Sequence, residues 1–150
     1  MVQKKRQFNK TLYSCFINMF ILKGKKKTIK DIIDLSLINL TQLLNISVVR
    51  LFFRLYYILD YYIEIKQVKI KRRTYTVPFS ITYDRRIYLI IKKIKNALNS
   101  DKRKTSFSDK LKFELNNILS FSRGSKSLKL IKNNRILMRN SRSNIHYRWK

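Results

Sequence analysis

The feature that most limits what this chain can become is its one-sided charge. Against 8 Asp and Glu stand 35 Lys and Arg, a formal charge of +27 in 150 residues, yet 45% of the residues are hydrophobic. Basic side chains at this density repel one another in a compact state. The hydrophobic share nevertheless separates the chain from a disordered polycation and is enough for a modest core. Such a fold is best stabilised by a polyanion, with nucleic acid the first candidate and an anionic membrane surface the second. At this length one domain spanning residues 1–150 is expected.

Several classes are excluded by inventory. A membrane-spanning helix needs roughly 20 largely apolar residues. The longest charge-free stretches, Thr11–Leu22 and Leu35–Val49, are shorter, and the second carries Ser36, Asn39, Thr41, Gln42, Asn45 and Ser47. Membrane insertion is therefore not expected, nor a secretory signal, since the apolar run after Lys10 meets Lys23-Gly24-Lys25-Lys26-Lys27 without a small-residue cleavage site. One cysteine, Cys15, permits no internal disulfide, and its apolar surroundings predict a buried, inert thiol. One histidine, His146, with no acid near it in sequence offers no oriented base. Cys15 and His146 cannot make a zinc site between them. Gly24 and Gly124 are too far apart for a phosphate-binding glycine loop. The few acids are assigned to helix caps or to Lys and Arg neighbours, not to paired-carboxylate catalysis. The expectation is a non-enzyme with no cofactor, no metal and no small-molecule substrate.

Periodicity divides the chain. Met1–Lys10 is a basic arm with Lys4, Lys5, Arg6 and Lys10. Thr11–Leu22 reads as a first helix, stopped at Lys23-Gly24. A second begins at Thr28 with Asp31 three residues on, its inward stripe Ile29, Ile32, Ile33, Leu37, Leu40 and Leu44. Asn45-Ile46-Ser47 breaks it, and Ser47 caps a third with the stripe Val48, Phe52, Leu55, Leu59 and Tyr62. Residues 63–81 alternate instead and predict a two-stranded ribbon, joined near Lys71-Arg72-Arg73, with a bulge at Lys66-Gln67 to reset the phase. Helical spacing returns at Ile87, Ile90, Ile91, Ile94 and Leu98. After a loop, Ser106 and Asp109 open a helix with Phe107, Leu111, Leu115, Ile118 and Phe121 inward, ended by Arg123-Gly124. Residues 125–150 form a basic tail without acids, helical when bound.

Basic clusters carry the positive signal. Lys4-Lys5-Arg6, Lys23 to Lys27, Lys66 to Arg73, Arg85-Arg86 and the tail mix cations with aromatics. Cations contact phosphates and release counterions, whereas aromatic and Arg planes stack on unpaired bases. For Phe52, Phe79, Phe107, Phe113 and most tyrosines, core packing is the expected role. Abundant Lys, Ile, Asn, Tyr and Phe, with scarce Gly, Pro and Ala, mark an AT-rich coding sequence, commonest in organelles.

Phe16-Ile17-Asn18-Met19 followed by Gly24-Lys25-Lys26 and Thr28 resembles the opening of the universal small-subunit ribosomal protein seven family. Ile63-Glu64-Ile65-Lys66 and Thr74-Tyr75-Thr76-Val77-Pro78 resemble its ribbon strands at the family's spacing. Arg85, Leu89, Ile91 and Lys92 continue the pattern, and Arg142 with His146-Tyr147-Arg148-Trp149 resembles its terminal signature. The resemblance runs from about Phe16 to Trp149. It implies a mainly α fold, a bundle of about six helices with a protruding two-stranded β-ribbon between the third and fourth helices, plus basic terminal extensions. It further implies binding to the 3′ major domain of small-subunit rRNA, nucleation of head assembly beside other head proteins, and a place near the exit-site tRNA. Candidate rRNA contacts are Lys4, Lys5, Arg6, Lys10, Lys23, Lys25, Lys26, Lys27, Lys66, Lys69, Arg85, Arg86, Lys92, Arg142, His146, Tyr147, Arg148 and Trp149. Lys71, Arg72, Arg73 and Tyr75 are the candidates near tRNA and mRNA.

The chain departs from the family at Lys71-Arg72, where a Gly-Gly turn is usual, so a wider or bulged tip is expected. Tyr61 replaces a proline before the first strand, and a Gly-x-Gly loop is reduced to Gly124. Extra cations are read as compensation for altered rRNA. With the residue usage, this points to a mitochondrial ribosome, with a plastid-type organelle as the alternative. Two other classes, a DNA-binding protein and a membrane-adsorbed basic protein, are weakened. No helix presents Arg, Asn and Gln as a groove reader, and Tyr and Trp are not banded.

Overall fold

The computed structural model describes residues 12–149, which leaves the N-terminal arm with Lys4, Lys5, Arg6 and Lys10, and the terminal Lys150, outside the described residues. The first helix, α1 (residues 12–20), turns Leu12, Phe16, Ile17 and Phe20 inward. That spacing covers one side of a helix. Cys15 lies on the other side and is exposed, so the expected buried thiol is corrected. An apolar run wound into a helix still has two faces, and α1 buries only one.

Lys23 and Gly24, both left-handed with φ of 50° and 74°, reverse the chain into α2 (Lys26–Leu44). This helix starts earlier than the Thr28 cap predicted. Its N-cap, Lys25, makes no side-chain bond, and Thr28 instead donates to the Lys25 carbonyl at 3.0 Å from within the first turn. Asn45 closes α2 in the left-handed conformation, and Ser47 caps α3 (Val48–Leu59) by accepting the Arg50 N–H at 3.4 Å, as expected. The two helices meet at 91°, and among the described residues no single helix is long and apolar enough to cross a membrane. Leu51, Phe52, Leu55 and Leu59 form the buried stripe of α3, whereas Val48 and Tyr62, assigned to it from sequence, are exposed.

Strands β1 (Ile63–Ile70) and β2 (Arg73–Ser80) pair antiparallel in one unbroken register, from Ile63 opposite Ser80 to Ile70 opposite Arg73. The predicted bulge is absent. The phase change in the sequence has another cause, because the ribbon is covered on both faces by different partners. Ile63, Ile65 and Thr76 line a cleft towards the helices, while Val77, Phe79 and Tyr75 share the opposite face, on which Tyr147 of the C-terminal segment stacks. The tip is also tighter than expected, a loop of Lys71 and Arg72 alone, made possible by a left-handed Lys71 (φ 53°). A side chain in that conformation carries a penalty of about 1 kcal/mol that glycine lacks. Lys71→Gly is therefore expected to stabilise the ribbon by up to about 1 kcal/mol, less what the freer unfolded chain takes back. Slower amide exchange across Val68 and Tyr75 checks it; faster exchange refutes the strain.

The rest is helical, as expected: α4 (Tyr83–Asn99), α5 (Phe107–Leu119), α6 (Lys126–Asn140) and a 3-10 helix (Arg142–Trp149). Ser106 accepts the Asp109 N–H at 3.1 Å and caps α5 as read from sequence. The tail is more ordered than read, with Ser125 capping α6 through the Leu128 N–H at 3.2 Å. Ile87, Ile90, Ile91, Ile94 and Leu98 of α4 pack with Leu111, Leu115 and Ile118 of α5 and the stripes of α1 to α3 into one core. Phe52 meets Phe16, and Phe107 meets Phe20, edge to face at 6.0 and 5.6 Å, while Phe16 and Phe20 lie tilted to each other at 5.0 Å. Other aromatic assignments need correcting. Phe113 and Phe121 are exposed, and of the nine tyrosines only Tyr61 is fully buried. α5 stops at Leu119, ahead of Arg123-Gly124, and Phe121 then takes a left-handed φ of 51° that swings its ring outward.

Candidate nucleic-acid interface

Four ion pairs are found among the described residues: Arg85–Glu64, Arg86–Asp60, Arg103–Asp101 and Lys126–Asp101. Cations also serve helix ends. Lys95 donates to the Met19 carbonyl at 2.6 Å at the end of α1, and Lys126 to the Ser100 carbonyl at 2.8 Å at the end of α4. Most of the remaining positive charge faces outward.

The turn between α1 and α2 is the first concentration. Lys23, Lys25, Lys26 and Lys27 are exposed, and the first turn of α2 contains no acid and no side-chain cap. Open backbone N–H groups and four ammonium groups thus meet at the positive end of the helix dipole, a setting that favours phosphate. The ribbon is the second. Lys66 and Lys69 are exposed on opposite faces, since they stand three positions apart along a strand. Lys66 also lies over the Phe79 ring at 5.2 Å. At the tip Lys71, Arg72 and Arg73 stand in solvent. Tyr75 stacks on Tyr147 with centroids 4.4 Å apart, and the His146 ring lies 3.9 Å from Tyr147.

The C-terminal candidates divide by role. Arg148 donates to Ser80 Oγ at 2.7 Å and covers Phe79, and Asn144 donates to the Thr76 carbonyl at 3.1 Å. These contacts, with Tyr147, fasten the 3-10 helix along β2. Arg142, His146 and Trp149 remain exposed, the Trp149 ring at 86%.

On α4, sequence reasoning missed the acids that occupy two of its candidates. Arg85 donates to both Glu64 oxygens, at 2.8 and 3.3 Å, and holds that carboxyl below its ordinary range. Arg86 pairs with Asp60 at 3.4 Å between the rings of Tyr62 and Tyr83. Both charges are largely neutralised within the fold, and the acids lie 21 and 26 residues away. Lys92 is exposed near the Tyr88 ring.

Lys93 was missed as well. Only 8% exposed, it sits in a cleft of about 430 Å³ between the ribbon, α4 and α6, its ammonium 4.7 Å from the centre of the Tyr61 ring. Burial, and then repulsion from Arg135, push its pKa down to about 8. Gln67, Asn96 and Asn134 line the same cleft, with Lys92 beside them. The Glu64 carboxylate, held by Arg85, lines the cleft too, so both signs of charge meet there. The spacing Ile90, Lys93, Ala97 places Lys93 on the inner face of α4, which was the available signal. Among the described residues no group of three His, Cys, Asp or Glu side chains could hold a metal.

The family model described as ribosomal protein S7p/S5e matches residues 1–129. That span takes in the lysine turn, the ribbon and α4, and ends inside α6. No curated protein matches the chain.

Proposed function

We propose, from the premise that the chain belongs to the ribosomal protein S7p/S5e family and is a structural protein of the small ribosomal subunit, that it binds the 3′ major domain of the rRNA and nucleates assembly of the head. The observation that carries the reading is the division of cations. Arg85 and Arg86 are bound to acids, while Lys23, Lys25, Lys26 and Lys27 and the ribbon's Lys66, Lys69, Lys71, Arg72 and Arg73 project outward in two clusters. Such clusters suit phosphates of a folded RNA. The ribbon tip and Tyr75 would then lie near exit-site tRNA and mRNA, with Arg142, His146 and Trp149 on rRNA and neighbouring head proteins. The residue usage favours a mitochondrial ribosome, and the protein acts without catalysis or cofactor.

Sedimentation of organelle lysate tests this. The chain is expected to travel with the small subunit and to leave it after RNase treatment. Recovery with membranes that resists salt would refute an RNA partner. Replacing Lys71, Arg72 and Arg73 together by alanine is expected to leave the fold intact while changing the tRNA footprint at the exit site. An unchanged footprint would remove the tip from that role.

A further inference from the structure

We infer that a second RNA site lies on the face formed by α3, the end of α5 and α6, and that it takes an unpaired, single-stranded rRNA segment through its bases. The inference rests on the proposed rRNA role and adds a surface that role does not use. Two clefts of about 440 and 470 Å³ adjoin at Ile58 and Phe121, which line both, and together make up one grooved face. Helical spacing separates this groove from the ribbon cleft. Lys132, Arg135 and Arg139 face it from α6, whereas Leu130, Asn134 and Leu137, which line the ribbon cleft, point to the other side of that helix.

Its chemistry is that of a stacking platform inside a cationic rim. Arg50, Arg54, Lys132, Arg135 and Arg139 line it, and no acid does. Tyr57 is 85% and Phe121 68% exposed, so both rings stand proud of the surface. Phe121 is held there by a left-handed backbone, rare for an aromatic residue, with its N–H on the Ile118 carbonyl at 3.2 Å. Exposed ring faces beside arginine planes match unstacked bases, and the rim matches the phosphates between them. A duplex would offer phosphates but no base faces. An acidic protein helix would satisfy the charge but would leave the projecting rings without planar partners.

Binding of the full chain to a short fluorescein-labelled oligouridylate, and to an RNA duplex of equal length, tests this. Tyr57→Leu with Phe121→Leu keeps an apolar side chain at each exposed position, and circular dichroism verifies the fold. The double variant is expected to bind the single strand about tenfold more weakly while duplex affinity stays within about twofold. Equal losses for both RNAs, or no loss for either, would overturn the proposal. Ultraviolet crosslinking of intact small subunits is expected to place uridine adducts on peptides carrying Tyr57 or Phe121. An acidic protein segment crosslinked there in place of RNA would also overturn it. If adducts form at the lysine turn and ribbon but not here, only this site fails; if the chain does not travel with the small subunit, the rRNA role fails first.

Discussion

Glu114→Ala is expected to lower the stability of the free chain by about 3–5 kcal/mol, the largest effect of any single substitution considered for this fold. The carboxylate is 5% exposed, and one oxygen accepts both the Ser125 hydroxyl, at 2.8 Å, and the Ser127 N–H, at 2.9 Å. These donors are the N-cap and an early N–H of α6, so Glu114 is an anion fixed at the positive end of that helix dipole. Each bond to a buried charge is worth roughly 1.5–3 kcal/mol, and truncation strands both donors in a site closed to water. For a chain of this size the melting temperature would fall by roughly 10 °C. Glu114→Gln keeps the accepting oxygen and loses only the charge, so a drop of about 1–2 kcal/mol is expected. The order of the three proteins in a thermal melt is the check. If alanine and glutamine variants melt together, or alanine melts with the parent, α6 is not anchored by this carboxylate.

The same residue shows what the sequence made legible and what it did not. Ser47, Ser106 and Asp109 signal helix starts because capping is local: the donor and the acceptor lie within three residues of each other. The start of α2 is not legible because Lys25 has no side-chain bond to signal it, and the reversal depends on left-handed backbone at Lys23 and Gly24. Glu114 reads as one more helical acid, since its partners come from the next helix. Arg85 and Arg86 read as phosphate ligands for the same reason, with Glu64 and Asp60 distant in sequence. In the ribbon, alternation was legible but its cause was not. A phase shift within a strand can mean a bulge or a change in which face is covered, and only the C-terminal segment lying on β2 decides between them. Clusters of lysine at the α1–α2 turn and the ribbon tip were legible because adjacent residues need no tertiary partner to remain exposed.

Removing residues 142–150 is expected to reduce rRNA affinity by about fiftyfold to two-hundredfold at physiological salt, through two separable effects. The first is charge. Arg142 and Lys150 are lost together with Arg148, whose bond to the neutral Ser80 hydroxyl leaves its charge uncompensated, and if each neutralises one phosphate the salt slope flattens by about 2–3. Extrapolated from molar to physiological salt, three such contacts account for a loss on the order of a hundredfold. The second is order. A two-stranded ribbon is marginal alone in water, and this one is held by the Asn144 amide on the Thr76 carbonyl, Arg148 on Ser80 and the Tyr147 ring on Tyr75. Without them β2 amides are expected to exchange faster, and Lys71, Arg72 and Arg73 would have to be reordered on RNA at an entropic cost. Two variants divide the effects. Tyr147→Ala is expected to speed exchange in β2 with an unchanged salt slope, whereas Arg142→Gln is expected to flatten the slope with exchange unchanged. A truncated chain that assembles into the subunit as well as the parent, with protected β2 amides, would show that the ribbon keeps its position through β1 and the helices alone.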